Sequence, residues 1–267
     1  MSLPKTLHVT PHVLVEQTDA ILKLTMNRPE KKNALTQDMY GALADAIEGA
    51  QGDTSVRVIY LTGTADSFTA GNDLADFAGA KPQDTGGNAV PNVTRYLQAI
   101  LASEKPLVAA VNGLAVGVGV TMLLHCDLVY AARSATFQTP FVNLALVPEA
   151  GSSLLLPALI GNQKAADMFL LGTKIRAEEA DTMGLVAGVF DDSALQDEAW
   201  SRAQALAAKA PSAVMLTKSL MRKNRDLVGA QMREEGGHFA AQLQTPEFAE
   251  AAAAFAERRA PDFSKIA

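Results

Sequence analysis

Residues 107–124, LVAAVNGLAVGVGVTMLL, carry no charged side chain, and no other stretch limits the possible folds so tightly. An uncharged run of that length can cross a bilayer or lie in a protein core. Asn112, Thr121 and three glycines, Gly113, Gly117 and Gly119, interrupt it. Glycine costs roughly 1 kcal/mol relative to alanine inside a helix and weakens strands as well. The run therefore reads as a buried strand, KPLVAAVNG, a junction, GLAVGVG, and a helix over 118–125 in a soluble fold with no membrane partner.

The neighbouring segments repeat that alternation. VLVEQTDAILKLTMN (13–27) predicts two strands around a turn at Thr18-Asp19, and NRPEKKNALT a loop ending in an N-cap at Thr36. The helix that follows stops near Gly52; VRVIYLTG (56–63) is a buried strand and TADSFTAGNDL its loop. The glycine-rich stretch GAKPQDTGGNAVP (79–91) reads as loosely ordered. A helix at 92–103 and a strand at CDLVYAA continue the pattern, and from about 196 onward only helices are expected. Strands alternating with helices predict an α/β core with a largely parallel sheet. The expected organisation is a core over 1–195 and a helical region over 196–267 that packs on the core or on a neighbouring subunit.

Charge narrows the partners. A formal net charge of −6 argues against a broad nucleic-acid surface, though a local patch can still take a phosphorylated small molecule. The lone cysteine, Cys126, permits no internal disulfide and reads as a small buried apolar residue. His125 and His238 have no metal-ligand spacing to other histidines or to the cysteine, so no metal is expected. MSLPKTLHVTPHVLVEQ lacks an apolar signal core and DFSKIA ends in no peroxisomal tripeptide, so a cytoplasmic location is the expectation.

Two loops are candidates for chemistry. Gly117 and Gly119 flank Val118 where a strand gives way to a helix, and a helix N-terminus presents unpaired N–H groups. The Val118 amide could donate to a polarised carbonyl there; tight helix–strand packing would use the same glycines. In DSFTAGNDLADF (66–77), Gly71 again follows a buried strand and precedes an expected helix start, and the Asn72 amide is the candidate donor. Two such amides can converge on one oxygen. A third candidate is Glu149 in NLALVPEAGSSLLLP. A loop glutamate is ordinarily solvated, but its apolar setting suggests a carboxylate whose proton affinity burial raises towards neutrality.

NRPEKKNALT, AGND, VNGLAVGVG, CDLVYAARSATFQTPF and FAERRAPDF occur in that order over nearly the whole chain, which resembles the crotonase (enoyl-CoA hydratase/isomerase) superfamily. The resemblance implies a spiral core of repeated ββα units, a C-terminal helical trimerisation region, and a homotrimer or dimer of trimers. It also implies an acyl-CoA thioester substrate whose carbonyl is held by the Asn72 and Val118 amides.

Hydratases of that superfamily carry two glutamates where this chain has Thr121 and Phe141. TFQTPFVNLALVPEAGSSLLLPALIG and NGLAVGVGVT resemble instead the peroxisomal-type Δ3,Δ2-enoyl-CoA isomerases, whose single base corresponds to Glu149, with Ala150 standing where a glycine is usual. Lys31 and Lys32 lie where a coenzyme A phosphate would bind, and Ala34, Leu35 and Ala70 where adenine and pantetheine would lie. Gly71, Asp73, Leu74, Gly117, Thr121 and Phe141 complete the implied substrate contacts, Asp73 more as a brace than as a chemical group. Phe255 is expected to pack, or to meet a neighbour's ligand.

The expected reaction moves the double bond of a 3-enoyl-CoA to the trans-2 position, with no cofactor beyond the coenzyme A of the substrate. Another crotonase reaction, such as hydration, and a non-catalytic acyl-CoA-binding scaffold are the alternatives.

Overall fold

A computed structural model describes residues 10–73 and 90–266. The glycine-rich stretch expected at 79–91 lies, but for its last two residues, outside them.

The first hairpin forms where expected. Val13–Thr18 (β1) and Ile21–Met26 (β2) pair antiparallel, and Asp19 takes a left-handed φ of 52° in the turn between them. Helix Gln37–Gly52 (α1) begins at Thr36, whose hydroxyl accepts the Met39 N–H at 3.3 Å. Its buried face carries Met39, Tyr40, Leu43 and Ile47 at helical spacing. Val58–Gly63 (β3) is buried along its whole length, as a strand covered on both faces must be. Ser67–Thr69 (β4) follows, and Asn92–Ala102 (α2) packs on α1, with the rings of Tyr40 and Tyr96 5.5 Å apart.

The uncharged run then divides into Leu107–Val111 (β5), Leu114–Val116 (β6) and Val118–Thr121 (α3). The helix expected over 118–125 is only one α-turn long, and Met122–His125 tightens into a 3₁₀ turn. Gly119 and the β-branched Val118, Val120 and Thr121 are weak helix formers, and the chain must re-enter the sheet at Leu128–Ala132 (β7). Beyond β7 come Thr136–Gln138 (β8), helices Ser152–Ile160 (α4) and Asn162–Leu171 (α5), Ile175–Arg176 (β9), Ala177–Thr182 (α6) and Gly188–Phe190 (β10). Helices Leu195–Ala207 (α7), Pro211–Met221 (α8), Arg225–Gln242 (α9) and Pro246–Ala256 (α10) complete the chain.

Among the described residues the strands form two sheets. One is six-stranded in the order β1-β2-β3-β5-β7-β10, parallel beyond the first hairpin. The other is four-stranded, β4-β6-β8-β9, parallel from β4 to β8. Each of the pairs β3–β4, β5–β6 and β7–β8 therefore sends its first strand to the larger sheet and its second to the smaller. Helices follow these pairs, so the core is a spiral of ββα units.

Helix α7 lies against β3, β5 and β7, with Ala199 and Ala203 fully buried and Trp200 edge-on to Tyr60 at 5.3 Å. Helix α9 reaches α4 and α2. Among the described residues no helix is long and apolar enough to cross a membrane.

Candidate active site

The two candidate amides leave neighbouring strands at the same level. Strands β4 and β6 run parallel with Thr69 opposite Ala115, so Asn72 and Val118 each lie three residues beyond that pair. The backbones are close there: a Cβ on Gly71 would stand 2.8 Å from the Val116 carbonyl oxygen. Gly71 has φ +88° and Gly117 φ +56°, a region L side chains rarely adopt, so both junctions need glycine. Gly119 has another reason to be glycine, because a Cβ there would stand 2.7 Å from the Thr69 Cγ2. It serves helix–strand packing, not close approach of a ligand.

The direction of the Asn72 amide follows from its neighbours. Leu35 N–H donates to the Gly71 carbonyl at 2.8 Å, and Asp73 N–H donates to the Leu35 carbonyl at 2.9 Å. In a trans peptide the Gly71 C=O and the Asn72 N–H point opposite ways, so the Asn72 amide is turned away from Leu35. Val118 opens α3, where an N–H has no acceptor within its own helix. Among the described residues neither amide has an acceptor, and an unpaired main-chain donor invites one.

Glu149 is buried, with 8% of its surface exposed. Thr121, itself fully buried on α3, donates its hydroxyl hydrogen to Glu149 Oε1. Oε2 takes no hydrogen bond among the described residues. Burial is the main reason the carboxyl is raised to about 7; Thr121 opposes that shift and the Glu235 carboxylate adds to it. One oxygen is thus held by Thr121, and the carboxyl's proton affinity lies near neutrality.

Tyr40 ties the acid to the amides. Its hydroxyl donates to the Asn72 side-chain oxygen, and its proton is held well above the usual range by burial and then by the Glu149 charge. Tyr96, on α2, also feels Glu149, and its hydroxyl donates to Met122 Sδ at 3.3 Å. Phe141 is buried against Phe169, its ring edge 4.0 Å from where a Gly117 Cβ would be. Asn72, Gly71, Gly117, Val118, Thr121, Phe141 and Glu149 are therefore brought to one region.

The remaining candidates spread outward. Ala70 N–H donates to the Lys32 carbonyl at 2.9 Å, which ties the 28–34 turn to the Asn72 loop. Lys31 and Lys32 are exposed, and Lys32 pairs with Asp66 at 2.6 Å. Ala34 and Ala70 are half-buried; Leu35 has its side chain in the core and meets the site through its main chain. Asp73 braces the loop by pairing with Arg28 at 2.6 Å. Leu74 lies outside the described residues. Phe255 is 64% exposed and packs little within the chain. His125 is buried, its Nε2 donating to the Ala150 carbonyl at 2.7 Å, and burial lowers it to about 4. Burial pushes the Cys126 thiol up to about 12.

Sequence reasoning missed Tyr40, Tyr96 and Glu235. The tyrosines read as apolar-face residues of helices, and Glu235 in REEGGH reads as a solvated charge. No local signal says that Glu235 is buried at 5% exposure.

Comparison with known proteins shows the family and the fold. The family model described as enoyl-CoA hydratase/isomerase matches residues 16–265. The chain is 40% identical over 214 residues to enoyl-CoA delta isomerase 2 of Rattus norvegicus, covering 79% of this chain and 54% of that protein. It is 34% identical to 2,3-dehydroadipyl-CoA hydratase of Escherichia coli, covering 94% and 98%. A solved enoyl-CoA hydratase/isomerase from Pseudoalteromonas atlantica superposes with a TM-score of 0.89 at 48% identity, covering 94% and 99%. The chain spans between 54% and 67% of the length of the mammalian isomerases it matches.

Proposed function

This chain belongs to the enoyl-CoA hydratase/isomerase family, and from that premise we propose that it moves the double bond of a 3-enoyl-CoA to the trans-2 position. Glu149 removes a proton from C2, and the electron pair spreads onto the thioester oxygen. The Asn72 and Val118 amides donate to that oxygen as its charge grows, where each donor is worth roughly 10²–10³ in rate. The protonated Glu149 then returns its proton at C4, and the double bond forms between C2 and C3. Protons and electrons balance without a redox cofactor or metal. Lys31 and Lys32 offer cations to the coenzyme A phosphates, Lys32 by exchanging Asp66.

The observation that carries this reading is the state of Glu149: buried, held through one oxygen by Thr121, and poised at about 7. A group that must take and return the same proton works best near the operating pH. Hydration has a specific observation in its favour, the nearly full-length match to a hydratase. It calls for a second acid, and the other buried glutamate, Glu235, is occupied by main-chain donors.

The test offers 3-hexenoyl-CoA and trans-2-hexenoyl-CoA separately and follows the ultraviolet absorbance of the conjugated thioester. The isomerase forms it from the first and does not consume it from the second; Glu149→Gln lowers the first rate by roughly 10²–10⁴. Rapid loss of the second substrate supports hydration. Binding without turnover of either supports a non-catalytic scaffold.

The same reading extends to assembly as a homotrimer or dimer of trimers. Leu216, Leu220 and Met221 on α8 are 56–78% exposed in the single chain, an apolar surface that a neighbouring subunit would cover. Solution mass measurement tests it.

A further inference from the structure

The turn that carries Glu149 is held from outside. Ala150 has φ +63° and Gly151 φ +71°, two successive left-handed residues, the first of them not glycine. Such a backbone persists only where its surroundings fix it. Three groups, from three elements, do so here: Thr121 of α3 holds the carboxylate, His125 of the 3₁₀ turn holds the Ala150 carbonyl, and Glu235 of α9 holds the amide of Gly151.

The last of these bridges the greatest distance in sequence. Glu235 Oε2 accepts the Gly151 N–H at 2.5 Å; Oε1 accepts the Ser153 N–H at 2.9 Å and the Ser153 hydroxyl. Gln231, one turn earlier on α9, donates to the Ser153 hydroxyl oxygen at 3.2 Å. The helix also presses on the turn, since a Cβ on Gly151 would stand 2.9 Å from Val228 Cγ1 and 3.3 Å from Met232 Cγ. A buried carboxylate is costly unless its oxygens are bonded, and this one uses both on the first turn of α4, where the helix dipole favours a negative charge.

We propose that Glu235 is a positioning residue through which α9 holds the Glu149 turn in its working conformation. The proposal rests on Glu149 being the base and gives the C-terminal helices a part in the reaction. Both Glu235 oxygens are spent on Gly151 and Ser153, so it acts through the turn. It fixes where Glu149 stands, and its charge favours the protonated form of that acid. The other titratable groups around Glu149 are the phenols of Tyr40 and Tyr96 and, across the turn, His125. All three are neutral at neutral pH, so among the described residues Glu235 is the charge that acts on Glu149.

The test compares wild type, Glu235→Gln and Glu235→Asp in the full chain, measuring melting temperature, kcat and KM for 3-hexenoyl-CoA, and the pH profile of kcat/KM. Gln keeps the shape but removes the charge and offers one acceptor oxygen in place of two. The expected result is a folded protein with kcat down roughly 10-fold or more, as for misplacement of a catalytic group. KM should stay within about two-fold, because substrate binding is untouched. The acid limb of the profile should move to lower pH, and Glu235→Asp should restore it.

Should Glu235→Gln fail to fold, Ser153→Ala removes one of the carboxylate's partners and keeps its charge; kcat should fall roughly three-fold with the limb unmoved. Wild-type kcat and pH profile in a folded Glu235→Gln, or wild-type kcat in Ser153→Ala, overturns the proposal. Loss of activity in Glu149→Gln alongside that result would leave the assignment of the base standing, whereas an active Glu149→Gln would remove the assignment itself.

Discussion

The hydroxyl of Tyr40, fully buried on α1, donates to the side-chain oxygen of Asn72. The residue whose main-chain amide is the proposed oxyanion donor is thereby anchored through its side chain to a different layer of the fold. Tyr40→Phe leaves that oxygen without its donor, a loss of about 1–3 kcal/mol where the group stays buried. Activity should fall roughly 10-fold through displacement of the amide, less than the roughly 10²–10³ expected for deleting an oxyanion donor. Thermal melts and kcat/KM on 3-hexenoyl-CoA measure both.

Thr121 donates to the ionised form of Glu149 and so opposes the effect of burial. Thr121→Val keeps the shape and removes the hydroxyl. The carboxyl should then titrate at higher pH, and the acid limb of kcat/KM should move up. Thr121→Ser should behave as wild type. A limb that stays in place in Thr121→Val would show that the hydroxyl does not stabilise the carboxylate.

Glu149 also links stability to pH. Its folded value is about 7 against an ordinary 4.5. Below about 4.5 both folded and unfolded states carry the proton, and nothing is lost. As pH rises towards 7 the unfolded chain ionises first, so the folded state loses up to about 3 kcal/mol. Glu149→Gln cannot ionise. Its melting temperature relative to wild type should therefore climb between pH 4.5 and 7 and level off above, a trend opposite to its loss of activity.

Ala150 is buried at φ +63°. A left-handed conformation costs an L residue roughly 1–2 kcal/mol. Glycine removes that cost but forfeits one buried methyl, worth about 0.8 kcal/mol, and adds about 0.4–1 kcal/mol of unfolded-state entropy. The terms nearly cancel, so Ala150→Gly should leave stability within about 1 kcal/mol of wild type. Ala150→Val adds a β-branched side chain in the same conformation and should destabilise clearly and lower kcat. Chemical denaturation of the two variants decides it.

Local patterns in the sequence carry most of the framework. The hairpin at Asp19, the Thr36 cap, the buried β3 and the strand that opens the uncharged run follow from periodicity and capping, whereas the expected junction holds a further strand, Leu114–Val116. The burial of Glu149 is legible in its apolar flanks. What the sequence does not disclose is contact between distant segments. Tyr40 reaches Asn72 across 32 residues, and Glu235 reaches Gly151 across 84. The single turn of α3 is hidden for a related reason: apolar character favours a longer helix, while the return to β7 limits it to one turn.

The parallel register of β4 and β6 sets two peptide groups side by side at the ends of neighbouring strands. Every residue but proline carries such an N–H, so most replacements at Asn72 or Val118 keep the donor as long as the glycines before them hold the backbone. Side chains around it are free to vary, as at Thr121 and Phe141. The main chain thus sets where two donors stand, while the side chains beside them, Glu149 and Thr121 among them, set the acid–base chemistry those donors can serve.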